Sequence, residues 1–204
     1  MRVNKKKFIY LISPNKIKKS FYNELTEILK LKKVSFFQLR LKNVPFKKKI
    51  IIGGKIKKIC KKYKTKFLIN DDALLSKKLD TDGCHLGQKD MKISEARKII
   101  KKKIIGITCH NSIRLAKLAI KNKADYLAFG AFNTSKTKRT KYKADLSLLK
   151  NIKKLTKTPI VAIGGINSEN YKKLLLNKAN FLAISSYIWN NKKLKPIEAI
   201  KKLK

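Results

Sequence analysis

Acidic side chains are scarce in this chain. Its 204 residues hold 12 Asp and Glu against 53 Lys and Arg, a formal net charge of +41. Cysteine is sparser still: Cys60, Cys84 and Cys109 are odd in number, widely spaced and free of any CxxC pair. That pattern suggests neither a disulfide framework nor a zinc site and predicts reduced thiols. Glycine (8) and proline (4) are few and 43% of residues are hydrophobic, a composition that builds a packed core rather than a disordered basic tail. No apolar run approaches the roughly 18 residues of a membrane span. The stretch after the basic start, Phe8 to Ile12, is too short for the apolar segment of a secretory leader. These absences predict a cytoplasmic protein with no membrane partner, and the length predicts a single domain over residues 1–204.

Arginine is scarce as well. Only Arg2, Arg40, Arg97, Arg114 and Arg139 occur, so the basic residues are overwhelmingly Lys, spread along nearly the whole chain. A nucleic-acid binder concentrates its charge in patches, favours the Arg fork and interleaves aromatics for stacking. This chain does otherwise, and its joint excess of Lys, Ile and Asn is what an adenine- and thymine-rich coding sequence produces. The reading is therefore a background lysine bias with no specific nucleic-acid partner. A non-catalytic polyanion-binding protein is the alternative, and it predicts strong, salt-sensitive RNA or DNA binding.

What is present is an alternation of short apolar runs and longer amphipathic ones. The strand-like runs are Phe8–Ile12, Ser35–Arg40, Lys66–Asn70, Gly83–His85, Ile104–Thr108, Tyr126–Phe129, Ile160–Ile163 and Phe181–Ser185. Helical patterns such as Ser112–Asn122 and Ser168–Leu176 lie between them. Asn111 and Asn167 sit at cap-like positions, and Asn122 and Asn177 sit where a left-handed residue would end a helix. Strands alternating with helices imply parallel strands joined by crossovers, and eight such units predict a compact (β/α)8 barrel, an α/β fold, with a doubly wound open sheet as the competitor. Gly53-Gly54 predicts a break or bend in the second helix.

In such a barrel the chemistry sits at the C-terminal strand ends. Gln38, Arg40 and Lys42 alternate onto one side of an extended segment and can grip an anion with several oxygens. The acids are more telling, because Asp71, Asp72, Asp80, Asp82 and Asp90 fall within twenty residues where even scatter would give about one. Asp71 and Asp90 close adjacent strand runs, and carboxylates there with phosphate oxygens make a typical Mg²⁺ site. Asp80 and Asp82 suit helix caps or lysine pairs better. Gly164-Gly165 after the seventh run and Ile184-Ser185 closing the eighth stand where these barrels often bind phosphate. Ser135, Thr137 and Lys138 lie in a hydroxyl- and lysine-rich loop after the sixth run that could fold over a diphosphate.

QLRLK at 38–42, INDD at 69–72, GCHLGQKD at 83–90, IGITCHN at 105–111, FGAFNTSKTK at 129–138, AIGGI at 162–166 and ISS at 184–186 together resemble the thiamine phosphate synthase family. The resemblance implies a transferase joining 4-amino-5-hydroxymethyl-2-methylpyrimidine diphosphate to 4-methyl-5-(2-phosphooxyethyl)thiazole with Mg²⁺. It implies that Gln38, Arg40, Lys42, Asn70 and Lys138 hold the pyrimidine diphosphate and that Asp71 and Asp90 hold the metal. Thr108 stands near the reacting diphosphate, where the family usually has Ser. Ser135, Thr137 and the backbone at Gly164, Gly165, Ile184 and Ser185 would bind the thiazole phosphate. Two segments depart from the family: its aromatic-Pro-Thr-x-Thr-Lys loop here begins Asn133-Thr134, and its Thr-Asp after the first run is Ser13-Pro14. A related thiazole tautomerase, which uses a His in the segment matched by Thr108-Cys109-His110, is the alternative, and His110 is its candidate residue. His85 reads as a packed residue of the GCHLG segment. Oligomeric state stays open, a homodimer among the options.

Overall fold

The computed structural model describes residues 7–134 and 141–204. Eight parallel strands close into a barrel in chain order: β1 (Ile9–Ile12), β2 (Val34–Leu39), β3 (Lys66–Asn70), β4 (Gly83–Leu86), β5 (Ile104–His110), β6 (Tyr126–Phe129), β7 (Ile160–Ile163) and β8 (Phe181–Ile184), which pairs back onto β1. Around it run α1 (Phe21–Lys30), α2 (Phe46–Lys62), α3 (Ala73–Leu79), α4 (Ile93–Ile100), α5 (Ile113–Lys121), α6 (Leu146–Leu155), α7 (Tyr171–Leu176), α8 (Ser186–Trp189) and α9 (Pro196–Lys201). Strand alternation divides the interior in two. Ile9, Leu11, Phe67, Ile69, Ile105, Leu127 and Leu182 face the helices, whereas Tyr10, Ile12, Leu68, Tyr126, Ala128, Val161 and Ala183 fill the lumen. Aromatic rings plug the lumen: Phe36 meets Tyr10, Tyr126 and Phe181 at centroid distances of 5.4, 6.1 and 5.0 Å. The mouth above this plug is left to polar side chains.

The expected barrel is the observed one, and each strand lies within a residue or two of its apolar run. Four local expectations are corrected. The second helix is not broken, since α2 is continuous through Gly53-Gly54. A Cβ on Gly53 would clash with Leu79, so the glycine serves close packing of α2 on α3. The cap of α5 is Ser112, whose hydroxyl accepts from the Leu115 N–H at 3.2 Å, while the Asn111 amide donates to the Lys143 carbonyl. Asn122 and Asn177 have ordinary negative φ, and the left-handed residues are Lys123 (φ 58°) and Lys178 (φ 75°), one position later. Lys32, Lys64 and Lys101 also have positive φ just beyond α1, α2 and α4, Lys101 with ψ −116° outside the left-handed helical region. Asn167 accepts from the Glu169 and Asn170 N–H groups in the turn before α7, whose N-cap is Asn170 and not Asn167 as expected.

All three cysteines are buried free thiols. Burial pushes Cys84 and Cys109 up to about 12 and Cys60 higher still, which keeps them protonated and inert. Among the described residues no helix is long and apolar enough to cross a membrane.

Candidate active site

The polar residues at the strand ends converge on one mouth. Ser13 anchors its first corner: its N–H donates to the Gln38 carbonyl at 2.9 Å, its hydroxyl accepts from the Arg40 N–H at 2.9 Å, and its carbonyl accepts from the Ser185 hydroxyl at 3.3 Å. The Ser13-Pro14 departure thus ties β8, β1 and β2 together and sets where Arg40 leaves the sheet. The Arg40 guanidinium donates to Asn15 at 3.3 Å, and Lys42 stands exposed in the loop beyond. Gln38 is only 2% exposed and sits one residue before the end of β2.

Asn70 ends β3, and Asp71 follows in the left-handed region (φ 64°), its N–H donating to the His85 carbonyl at 2.7 Å. That backbone turn separates two neighbouring acids. Asp72 turns away to cap α3, accepting from the Leu75 N–H at 2.8 Å, while Asp71 stays at the mouth. Burial, and then the Asp90 carboxylate beside it, push the Asp71 carboxyl up to about 6, against the opposing pull of Arg40 and Lys42. Asp90 is held from its own loop by the Gly87 N–H at 2.6 Å. The other two acids of the cluster stand away from the site as lysine partners. Asp80 pairs with Lys57 and Lys103, and Asp82 pairs with Lys66 at 2.8 Å and accepts from the Phe67 N–H.

Thr108 faces the lumen side of β5, and its carbonyl accepts from the Gln88 side chain at 2.5 Å. Its hydroxyl meets His85 Nε2 at 2.9 Å. His85, expected as a packed or structural residue, is stacked on Tyr126 and reaches the Thr108 hydroxyl as well. Burial holds its ring down at about 4, so it is neutral at ordinary pH. Its partner Tyr126 lies forty-one positions away, and the sequence carried no local signal for the pair. His110 ends β5 with φ 54° and stacks on Tyr142 at 4.1 Å.

On the opposite side the site is built from backbone. Gly164 (φ 108°) and Gly165 (φ 58°) follow β7, and the loop after β6 zips onto them: the Phe132 N–H donates to Ile163 and the Asn133 N–H to Gly164, at 3.1 and 3.2 Å. A Cβ on Gly165 would stand 2.3 Å from the Thr134 carbonyl. Ile184 closes β8 and Ser185 begins α8, whose Trp189 indole donates to the Ile12 carbonyl at 2.7 Å and pins the helix across the seam. Ser135, Thr137 and Lys138 lie outside the described residues.

Comparison with known proteins agrees with this architecture. The family model for thiamine monophosphate synthase matches residues 9–188. The chain is 69% identical to the thiamine-phosphate synthase of Pelagibacter ubique over the full length of both, and 35% identical to that of Erythrobacter litoralis over 94% of this chain and 92% of that one. In three dimensions it superposes on a thiamine phosphate pyrophosphorylase from Pyrococcus furiosus with a TM-score of 0.86 and 28% identity, covering 98% of this chain and 94% of the other. By sequence and by fold alike, this chain belongs to the thiamine monophosphate synthase family.

Proposed function

We propose that the mouth condenses 4-amino-5-hydroxymethyl-2-methylpyrimidine diphosphate with 4-methyl-5-(2-phosphooxyethyl)thiazole, releasing diphosphate and thiamine phosphate. The observation that carries the assignment of roles is the crowding of Asp71 against Asp90 within the field of Arg40 and Lys42. A carboxylate held beside a second one in this way suits a divalent cation, and hard oxygens suit Mg²⁺. Asp71 and Asp90 would hold that ion, which when bound neutralises diphosphate charge. Two protein ligands leave the remaining coordination to water and substrate oxygens.

The chain's own residues supply the rest. The Gln38 amide and Asn70 are suited to the aminopyrimidine diphosphate, with Arg40, Lys42 and Lys138 against its anionic end and the Thr108 hydroxyl beside the reacting bond. Cleavage of the methylene C–O bond sends its electron pair to the departing diphosphate and leaves a carbocation that the amino-substituted ring stabilises. The thiazole nitrogen then donates its lone pair to that carbon and closes the C–N bond. No strong base is needed; the work is charge neutralisation and positioning. Backbone at Gly164, Gly165, Ile184 and Ser185, with Ser135 and Thr137, would cradle the thiazole phosphate.

The test is diphosphate release with each substrate singly and with both, in the presence and absence of Mg²⁺. Release only with both substrates and Mg²⁺ is the expected result. Rearrangement of a thiazole carboxylate isomer alone, abolished by His110→Ala, would overturn it in favour of the tautomerase.

A further inference from the structure

Beneath the site runs a hydrogen-bonded chain of three hydroxyls and one imidazole. The Tyr10 and Tyr126 phenols meet at 2.7 Å, Tyr126 meets His85 Nδ1 at 2.8 Å, and His85 Nε2 meets the Thr108 hydroxyl at 2.9 Å. Four side chains from β1, β6, β4 and β5 are thus joined across the lumen. Tyr126 owes its place to Gly106, where any Cβ would fall 1.8 Å from the Tyr126 ring. The ring then stacks on His85 at 5.6 Å with planes 14° apart.

A neutral imidazole has one donor and one acceptor nitrogen, so this chain can run in only two directions. In the first, His85 Nδ1–H donates to Tyr126, Tyr126 donates to Tyr10, and the Tyr10 hydrogen is left buried with no acceptor among the described residues. In the second, Tyr10 donates to Tyr126, Tyr126 donates to Nδ1, and Nε2–H donates to the Thr108 oxygen. Every buried hydrogen is then used. An orphaned buried donor is the costlier defect, so the second direction prevails. The Thr108 oxygen is thereby occupied as an acceptor, and its hydrogen is released toward the mouth.

The geometry points to Tyr126 and His85 as positioning residues that fix Thr108 as a hydrogen-bond donor to the substrate diphosphate. This rests on the reading that Thr108 meets that diphosphate. It goes beyond that reading by assigning the direction of the hydroxyl to a phenol that lies two hydrogen bonds away, on β6. A donor aimed at developing negative charge acts on the leaving group and not on the thiazole phosphate.

With only two histidines in the chain, ¹⁵N NMR of the labelled wild-type protein, with His110→Gln for assignment, reads the tautomer directly. A proton on Nε2 and none on Nδ1 of His85 is expected, and a proton on Nδ1 overturns the proposal. In steady-state assays Tyr126→Phe should lower kcat about tenfold while leaving KM for the thiazole phosphate in place. In a Thr108→Val background the same substitution should cost nothing further. Should Tyr126→Phe fail to fold, His85→Gln and His85→Asn provide the comparison. Gln extends an amide donor toward the Nε2 position and should keep several-fold more activity, whereas Asn reaches only the Nδ1 position. Equal activities of those two, or additive losses in the double variant, sink the relay. Full activity in Thr108→Val would sink the underlying reading of Thr108 itself, whatever the tautomer.

Discussion

The two sides of the barrel mouth offer different groups to the proposed substrates. From β2 to β5 the proposed site is made of side chains: Gln38, Arg40, Asn70, Asp71, Asp90 and Thr108, each at a strand end or in a short loop. From β7 to β8 it is made of backbone, with two left-handed glycines and the start of α8. A side-chain site fails when one functional group is removed. A backbone site tolerates the loss of any single hydroxyl and fails when a Cβ is added. The side-chain half also carries the titratable groups, so pH acts on it first.

The largest expected effect sharpens that contrast. Asp71→Ala should cut turnover about a thousand-fold, because it removes a charge that the leaving diphosphate needs neutralised through its counter-ion. The assay is diphosphate release with both substrates at saturating Mg²⁺. On the other side, Gly165→Ala forces a methyl against the Thr134 carbonyl at a φ of 58°. A displacement near 1 Å there should cost about a hundred-fold in kcat/KM, carried by KM for the thiazole phosphate, whereas Ser185→Ala should stay within about threefold. If Ser185→Ala proved the worse of the two, the backbone description of that half would be wrong.

The pH prediction concerns the side-chain half alone. The His85 ring is held down at about 4, below its ordinary 6.5, chiefly by burial. The unfolded chain therefore takes up a proton that the folded chain resists. Stability from this group is complete above pH 6.5 and is lost as pH falls from 6.5 toward 4, by about 2 kcal/mol for a ring not wholly shielded from solvent. The gap in urea midpoint between wild type and His85→Gln should shift against the wild type from pH 7 to pH 5, a comparison that cancels the opposite contribution of the raised Asp71 carboxyl. The smallest expected effect separates neighbours in sequence. Asp72→Ala should cost about 1 kcal/mol of stability through the lost α3 cap and leave turnover nearly intact, unlike the same change one residue earlier.

The same contrast explains what was legible in the sequence. Barrel strands buried on both faces read as bare apolar runs, so all eight were visible, and the scarcity of acids made Asp71 and Asp90 stand out. The backbone half showed only as a glycine pair whose meaning came from its order in the chain. The lumen was harder. His85, Tyr126 and Tyr10 share no local pattern, since closure of the sheet is what brings them within hydrogen-bond reach. Gly53 misled for a related reason: its role is contact with Leu79 on the next helix, and a single helix pattern cannot show an interhelical approach.

Five helices are followed by a lysine with positive φ, at 32, 64, 101, 123 and 178, where glycine is the unstrained choice. Each such residue costs about 1 kcal/mol in backbone strain. The lysine excess is thus felt in backbone torsion as well as in surface charge. The fold therefore carries a reserve: replacing Lys123 and Lys178 with Gly should raise its melting temperature while lowering its charge, a repair that touches no side-chain contact in the active site.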